Sequence, residues 1–305
     1  RSIDELSTAL LERKIDPFDL GYVIRCLRDL RKLLEKMPSL TLEGELAEIF
    51  ASNDHQRNLD VLIMFRGWWD GRQYTLREVG EEFGLTRERV RQICARLIRR
   101  YERVSHIAAP VMDSVPEIIE QCVPCTASTI EAELIQHGLT KVNVRLETVL
   151  ASAELLKRPM KVAIAKIGGR RMVAPPKQLK IIKMIATLAK KESHCHGMAT
   201  VDAIGQAISK KFPKCGGTAL VREILPLFED FNWLDEQLGW FRADKVRKNG
   251  VPIAVDKVLS VAGKVTLKEL HEALRRDPRL LPKLPPQHVL LEFVRQMPGV
   301  RVKGT

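Results

Sequence analysis

Between Thr75 and Arg100 the sequence TLREVGEEFGLTRERVRQICARLIRR dictates two helices and the turn between them. Thr75 and Glu78 have the Thr-x-x-Glu spacing of a capping box, in which each residue satisfies a backbone donor of the other. They start a short helix, 75–82, with Leu76, Val79 and Phe83 turned inward. Gly84 stops it, because glycine supplies the backbone freedom a tight turn needs. Thr86 is an N-cap for a second helix, where Val90, Ile93 and Leu97 recur at spacings of three and four and make one apolar stripe. Gly80 is small where two crossing helices approach closely. The arrangement is a helix-turn-helix.

The polar face of the second helix carries the chemistry. Arg87, Glu88, Arg91 and Gln92 fall in its first turns, away from the apolar stripe. In a helix-turn-helix these turns meet base edges in the major groove. Arginine contacts guanine with two hydrogen bonds, glutamate accepts from cytosine, and glutamine reads adenine. Arg89, Arg96, Arg99, Arg100 and Arg103 extend the positive charge and suit phosphate contacts. Spacing alone would also fit a charged, solvated helix inside a bundle.

TLREVGEEFGLTRERVRQI resembles region 4.2 of bacterial primary-type sigma factors, whose usual form is close to TLEEVG–x–x–F–x–VTRERIRQIE. Upstream, HQRNLDVLIMFRGWWDGRQY (55–74) is similar to region 4.1, a helix ending in a turn. The resemblance covers roughly residues 46–103. It implies that Arg87, Glu88 and Gln92, with Arg91 beside them, face bases of a −35 promoter element. It further implies that Thr75, Leu76 through its backbone, Arg96 and Arg99 lie near phosphates, and that the domain docks on the β flap of RNA polymerase. Two positions depart from the family pattern. Arg77 and Cys94 each replace a usual Glu, which makes this face less acidic and adds Arg77 to the phosphate-facing set. No segment matches sigma region 2, the aromatic-bearing domain that melts promoters, so the chain alone is not expected to open them.

The chain has 305 residues, room for two or three ordinary domains or more small ones. Hydrophobic residues make up 45% and aromatics 5%, which favours aliphatic, helical cores. The net charge of +12 and pI near 9.5 favour an anionic partner, or else a solvated basic surface. No apolar run is long enough to span a bilayer, no signal peptide is evident, and six scattered cysteines do not make a disulfide scaffold. A cytoplasmic, nucleoid-associated protein is expected, with no membrane partner.

Before the helix-turn-helix, residues 3–12 and 19–37 read as amphipathic helices broken around Asp16 and Pro17. They either pack on the region 4.1 helix or form an arm for a partner. After it, one pattern recurs three times. The first copy has helices at 111–122, 128–138 and 142–156, then a hairpin, 161–175, turning at Gly168 and Gly169. The second has helices at 177–191, 198–212 (after a short strand) and 218–231, then a wing at 232–244 packed by Trp233, Trp240 and Phe241. The third has a helix at 253–263, a strand and helix over 264–277, a helix at 285–297, and GVRVKG (299–304) beginning a strand, which implies truncation. The expected fold is therefore mostly α: a helix-turn-helix domain plus three small winged-helix-like repeats, each α with a short β-hairpin. The expected domains are 1–45, 46–104, 105–176, 177–249 and 250–305.

Winged helices bind DNA or dock proteins. In the first copy the third helix carries Lys141, Asn143, Arg145 and Lys157, and the wing carries Lys166, Arg170 and Arg171, which fit phosphate or minor-groove contacts. In the second copy the third helix is acidic (Glu223, Glu229, Asp230), which argues against DNA there. Cys122-Val-Pro-Cys125 has the spacing of a metal or redox pair, but lacks a second close pair and follows a helix rather than preceding one. His194-Cys195-His196 is placed in a loop between helices. No metal, cofactor or catalytic constellation is expected.

These features point to a sequence-specific DNA-binding protein, a bacterial transcription regulator or sigma-factor-like promoter-binding protein reading a −35-like element through the helix 86–100. Two alternatives stand beside it. One is an RNA polymerase-binding accessory protein with secondary DNA contact. The other is the DNA-binding arm of a larger defence or nuclease assembly.

Overall fold

The structure, a computed structural model, describes residues 40–51, 56–102, 108–213, 215–243, 250–280 and 284–303, with six further positions between 21 and 31. The predicted helix 3–12 and most of 19–37 lie outside the described residues. The fold is mostly α, with two small antiparallel sheets. The chain divides into two compact units. The first takes Arg1–Val123 and Ala127–Met160, and the second takes Pro124–Thr126 and Lys161–Thr305.

In the first unit, α1 (Leu42–Phe50) precedes the helix-turn-helix domain of α2 (Gln56–Arg66), α3 (Leu76–Phe83) and α4 (Arg87–Glu102). Three helices of the first repeat follow: α5 (Pro110–Cys122), α6 (Ala127–Gln136) and α7 (Leu146–Leu155). α1 packs on α2, α4 and α5 at once. Its Leu42, Leu46 and Phe50 are buried, and Phe50 stacks on buried Trp68 with ring centroids 5.2 Å apart.

Two buried polar groups tie the helix-turn-helix to the three helices that follow. Glu45 is 2% exposed, and its two carboxylate oxygens accept from the backbone N–H groups of Val111 and Met112, each at 2.8 Å. A helix leaves its first N–H groups without partners. α5 has no side-chain cap of its own, so Glu45 supplies one from 66 residues away. Trp68 donates its indole N–H to Ser152 Oγ at 2.8 Å, and the Ser152 hydroxyl in turn donates to Thr148 O at 2.8 Å. Glu131 repeats the device within the repeat, accepting from Leu146 N–H at 2.8 Å where α7 begins uncapped.

The second unit holds β1 (Cys125–Thr126), β2 (Ala163–Ile167) and β3 (Arg170–Ala174) as one sheet ordered β1-β3-β2. It continues with α8 (Pro176–His196), β4 (Ala199–Thr200), α9 (Val201–Lys211), α10 (Gly217–Ile224), β5 (Phe231–Asp235) and β6 (Trp240–Ala243). The order β4-β6-β5 repeats that of the first sheet. Both copies thus follow the winged-helix sequence of helix, strand, helix, helix and hairpin. The strands of the first copy fall in the second unit and its helices in the first. Ile167, Met172 and Ala174 of that hairpin share one core with Ile182, Ile185, Ile204, Val221 and Phe241.

Several expectations are corrected. α8 runs on to His196 and ends at Gly197 (φ 87°), so His194-Cys195-His196 forms a last helical turn rather than a loop. α10 stops at Ile224, because Pro226 cannot continue a helix, and a 3-10 turn, Leu225–Leu227, replaces the predicted extension to 231. Lys141, Asn143, Arg145 and Lys157 flank α7 rather than sit on it. The described residues of the third copy form helices and no strand: α11 (Val251–Ala262), α12 (Leu267–Arg275) and α13 (Gln287–Arg295). Neither 264–266 nor 299–303 is a strand. In the other two copies the short strand pairs with the second wing strand. No such partner exists here among the described residues, and Thr266 instead forms a capping box with Glu269.

Replacing Ser152 by Ala leaves a buried indole donor without a partner and should lower stability by roughly 1–3 kcal/mol, read from urea unfolding followed by circular dichroism. Burial pushes the Glu45 carboxyl above its ordinary value, against the pull of the two N–H groups. Its stabilising contribution is therefore greatest below the ordinary glutamate value and is lost as pH rises through the raised one. The urea midpoint of the native chain, relative to that of Glu45→Gln, should fall as pH rises above the ordinary glutamate value.

Candidate nucleic-acid interface

The turn between α2 and α3 is built by local polar contacts. Asp70 accepts from Tyr74 Oη at 2.6 Å and from Arg72 N–H at 2.9 Å, and the Arg72 guanidinium lies over the Tyr74 ring, 4.8 Å from its centroid. Glu78 accepts from Thr75 N–H at 2.7 Å and from Arg72 at 2.9 Å, while its own N–H donates to Thr75 Oγ1. These donors, the Thr75 N–H foremost, hold the Glu78 carboxyl below the usual glutamate range. The capping box is complete. Thr75 Oγ1 accepts from the Glu78 N–H in it, and its hydroxyl in turn bonds the Glu78 carboxylate. Leu76 opens α3, where helix geometry leaves the N–H without an intrahelical acceptor.

Gly84 closes α3 in the left-handed region (φ 62°). A Cβ on Gly80 would stand 2.6 Å from Leu85 O, so glycine is required there by the turn backbone itself. Arg57 of α2 donates to Phe83 O, fastening the end of α3. Thr86 Oγ1 caps α4, accepting from Arg89 N–H at 3.2 Å. Val90, Ile93, Cys94 and Leu97 are all at most 3% exposed and seat α4 on the domain core.

That seating turns the predicted base-facing set outward. Arg87, Glu88, Arg91 and Gln92 are all exposed, on consecutive turns of one face. They are not independent. Glu88 accepts from Arg91 Nη2 at 2.6 Å and Nε at 2.9 Å, and from Gln92 Nε2 at 3.3 Å. The Arg91 guanidinium, first among these donors, holds the Glu88 carboxyl below its ordinary range, and Glu88 in turn raises Arg91. Sequence reasoning placed these side chains on one face but missed the bridge. Their i, i+3 and i, i+4 spacing was the available signal.

Of the residues predicted to lie near phosphate, Thr75, Arg77, Arg89, Arg96 and Arg99 are exposed and Leu76 is half-buried. Arg77 pairs with Glu81 at 2.7 Å, which offsets part of its charge. The Arg100 side chain and Arg103 lie outside the described residues. Cys94 is a correction. It is 3% exposed, and burial pushes its thiol up to about 11, so it belongs to the core and leaves the acidity of the exposed face unchanged.

The first hairpin has a different setting. Lys166 and Arg170 are exposed and Arg171 is half-buried, with Lys166 and Arg171 opposite each other across the ladder. Its tip is occupied. Glu229 N–H donates to Gly168 O at 2.8 Å, and a side chain on Gly168 would strike the Phe228 ring. Cys122 ends α5 and Cys125 pairs with Val173 in β3, both as free thiols. Among the described residues, no three His, Cys, Asp or Glu side chains lie together as a metal site, and no helix is long and apolar enough to cross a membrane.

Comparison with known proteins agrees with this geometry. Residues 55–100 match the family model of sigma-70, region 4. Over 82 residues the chain is 37% identical to the RNA polymerase principal sigma factor HrdD of Streptomyces griseus. The alignment covers 26% of this chain and 24% of that relative. No solved structure matches the chain. The region 4 segment therefore comprises α2, α3 and α4, with α1 outside it.

Glu88 holds Arg91 and Gln92 on the exposed face, so Glu88→Gln should loosen both and leave them open to any nucleic acid that meets α4. Binding to mixed-sequence duplex should tighten by a few fold, with discrimination between sequences reduced, as read by fluorescence anisotropy at fixed salt.

Proposed function

We propose that this chain is a sequence-specific DNA-binding protein of transcription, in which α4 reads a promoter element of the −35 type. The observation that carries the reading is the exposed set of Arg87, Glu88, Arg91 and Gln92 on the first turns of α4, within a segment that matches sigma-70, region 4. In this reading Arg87 and Gln92 bond base edges in the major groove, where each bidentate pair discriminates by about 1–3 kcal/mol. Glu88 orients Arg91 and accepts from a cytosine amine. Thr75, the Leu76 N–H, Arg89, Arg96 and Arg99 fix the duplex through its phosphates, setting register without carrying sequence information. Arg77 adds a weaker contact, since it is shared with Glu81.

RNA polymerase is the second partner in this reading, because the matched relative is a polymerase sigma factor. The chain spans about a quarter of that relative's length. In this reading the modules after residue 104 extend the footprint on DNA or recruit a partner.

The test is selection of the purified chain against a randomised duplex library. An enriched motif resembling a −35 hexamer is the expected outcome, and Arg87→Ala combined with Gln92→Ala should abolish the enrichment. An unchanged motif in that double variant overturns the assignment of α4.

A further inference from the structure

Most of the basic charge of the chain lies away from region 4. The second unit holds 27 Lys and Arg against 13 Asp and Glu, a net of +14, whereas the first unit, with the helix-turn-helix, nets −2. Non-specific attraction to a polyanion scales with the phosphates that lysine and arginine neutralise. In the first unit net positive charge is confined to the region 4 segment, where residues 55–100 hold ten Arg against six Asp and Glu.

Within the second unit the charge is ordered along α8. Lys177, Lys180, Lys183 and Lys191 are all exposed, as are Thr187 and His194. At 100° per residue the four lysines fall within an arc of about 120°, and they extend about 21 Å along the axis. No Asp or Glu shares that arc. The opposite side, with Ile182, Ile185 and Ala189, is buried in the core of the unit, which fixes the lysine face outward. Among the described residues none of the four ammonium groups is in an ion pair. Lys190 lies at the edge of the row and lines a cleft with Asp230, so it is set apart from the four. A merely solvating face intersperses both signs. This one has a single sign over four turns.

We propose that the lysine face of α8 binds the phosphate backbone of double-stranded DNA, as a sequence-blind contact separate from α4. The inference rests on the reading that the chain binds duplex DNA. Lysine suits the role, since its ammonium acts on phosphate as a point charge and lacks the planar fork that reads guanine. A duplex presents one charge per roughly 1.7 Å of axis, so it can occupy all four groups. The winged-helix pattern alone directs attention to third helices and wings. Here the third helix, α10, and the residues after it carry Glu223, Glu229 and Asp230, and the first helix of the copy takes the contact instead.

The experiment compares the full chain with a variant carrying Lys177→Gln, Lys180→Gln, Lys183→Gln and Lys191→Gln. Gln keeps helix propensity close to that of Lys. Binding to a mixed-sequence duplex of about 40 base pairs is measured by anisotropy across a salt series. The slope of log affinity against log salt should shrink by about 3–4, about 0.9 per lost phosphate contact, and affinity near 0.1 M salt should fall at least tenfold. The motif selected by α4 should be unchanged. A quadruple Lys→Arg variant should restore the slope, which separates charge from folding. An unchanged slope in the Gln variant overturns the proposal, and so does a loss confined to duplex RNA of the same length. The Arg87→Ala, Gln92→Ala variant reports separately on region 4, because it should lose the motif and keep most of the salt slope.

Discussion

Glu45 presents both carboxylate oxygens to the N–H groups of Val111 and Met112, and the arrangement of the first unit follows from that contact. α5 begins with Pro110 and has no cap in its own sequence. Without an acceptor, its buried N-terminal donors would each cost about 1–3 kcal/mol. Supplying that acceptor from α1 fixes α1 against α5, and α1 in turn packs on α2 and α4. The buried indole of Trp68, bonded to Ser152, adds a second tie. α4 is thus braced, through α1, by helices that follow it in the chain, although the family match ends at residue 100.

The exposed face of α4 obeys a different economy. Its side chains are exposed and bonded to one another, so solvent screens their contacts and each is worth little to stability. Their value is in geometry. Glu88 holds Arg91 and Gln92 in place before any duplex arrives, which reduces the rotamer freedom to be lost on binding. The same carboxylate is an obstacle to indiscriminate phosphate binding. In the proposed reading, such a bridge favours sequences that offer Glu88 a donor in exchange for the arginine it releases.

What the sequence made legible was local. The Thr75–Glu78 box, the turn at Gly84 and the Val90, Ile93, Leu97 stripe are decided by neighbours a few residues apart, and all three are present in the structure. The hairpins about Gly168 and Gly239 were legible for the same reason. The partners of Glu45 and Trp68 were not, because they lie 66 and 84 residues away and nothing in their own surroundings marks them. Cys94 was misplaced because its position relative to Ile93 and Leu97 widens the buried stripe, a matter of packing rather than of motif. The strands expected at 264–266 and 299–303 failed for want of a ladder partner, which a β-like pattern cannot supply on its own. Pro226 was visible, but its effect on α10 was outweighed by the apolar periodicity around it.

The chain passes between its two compact units three times, at residues 123–124, 126–127 and 160–161. β1 is the short excursion between the first two crossings, and it covers one edge of β3. No single cut therefore yields both units intact. A fragment beginning at 161 keeps β2 and β3 but bares the β3 edge that Cys125 and Thr126 had paired, and an open edge invites pairing with another chain. Dissection of this protein at the 160–161 boundary of the compact units would produce a piece prone to associate, whereas a cut at 176–177 leaves both sheets whole. A fragment that keeps every strand pairing of both sheets must include residues 125–243.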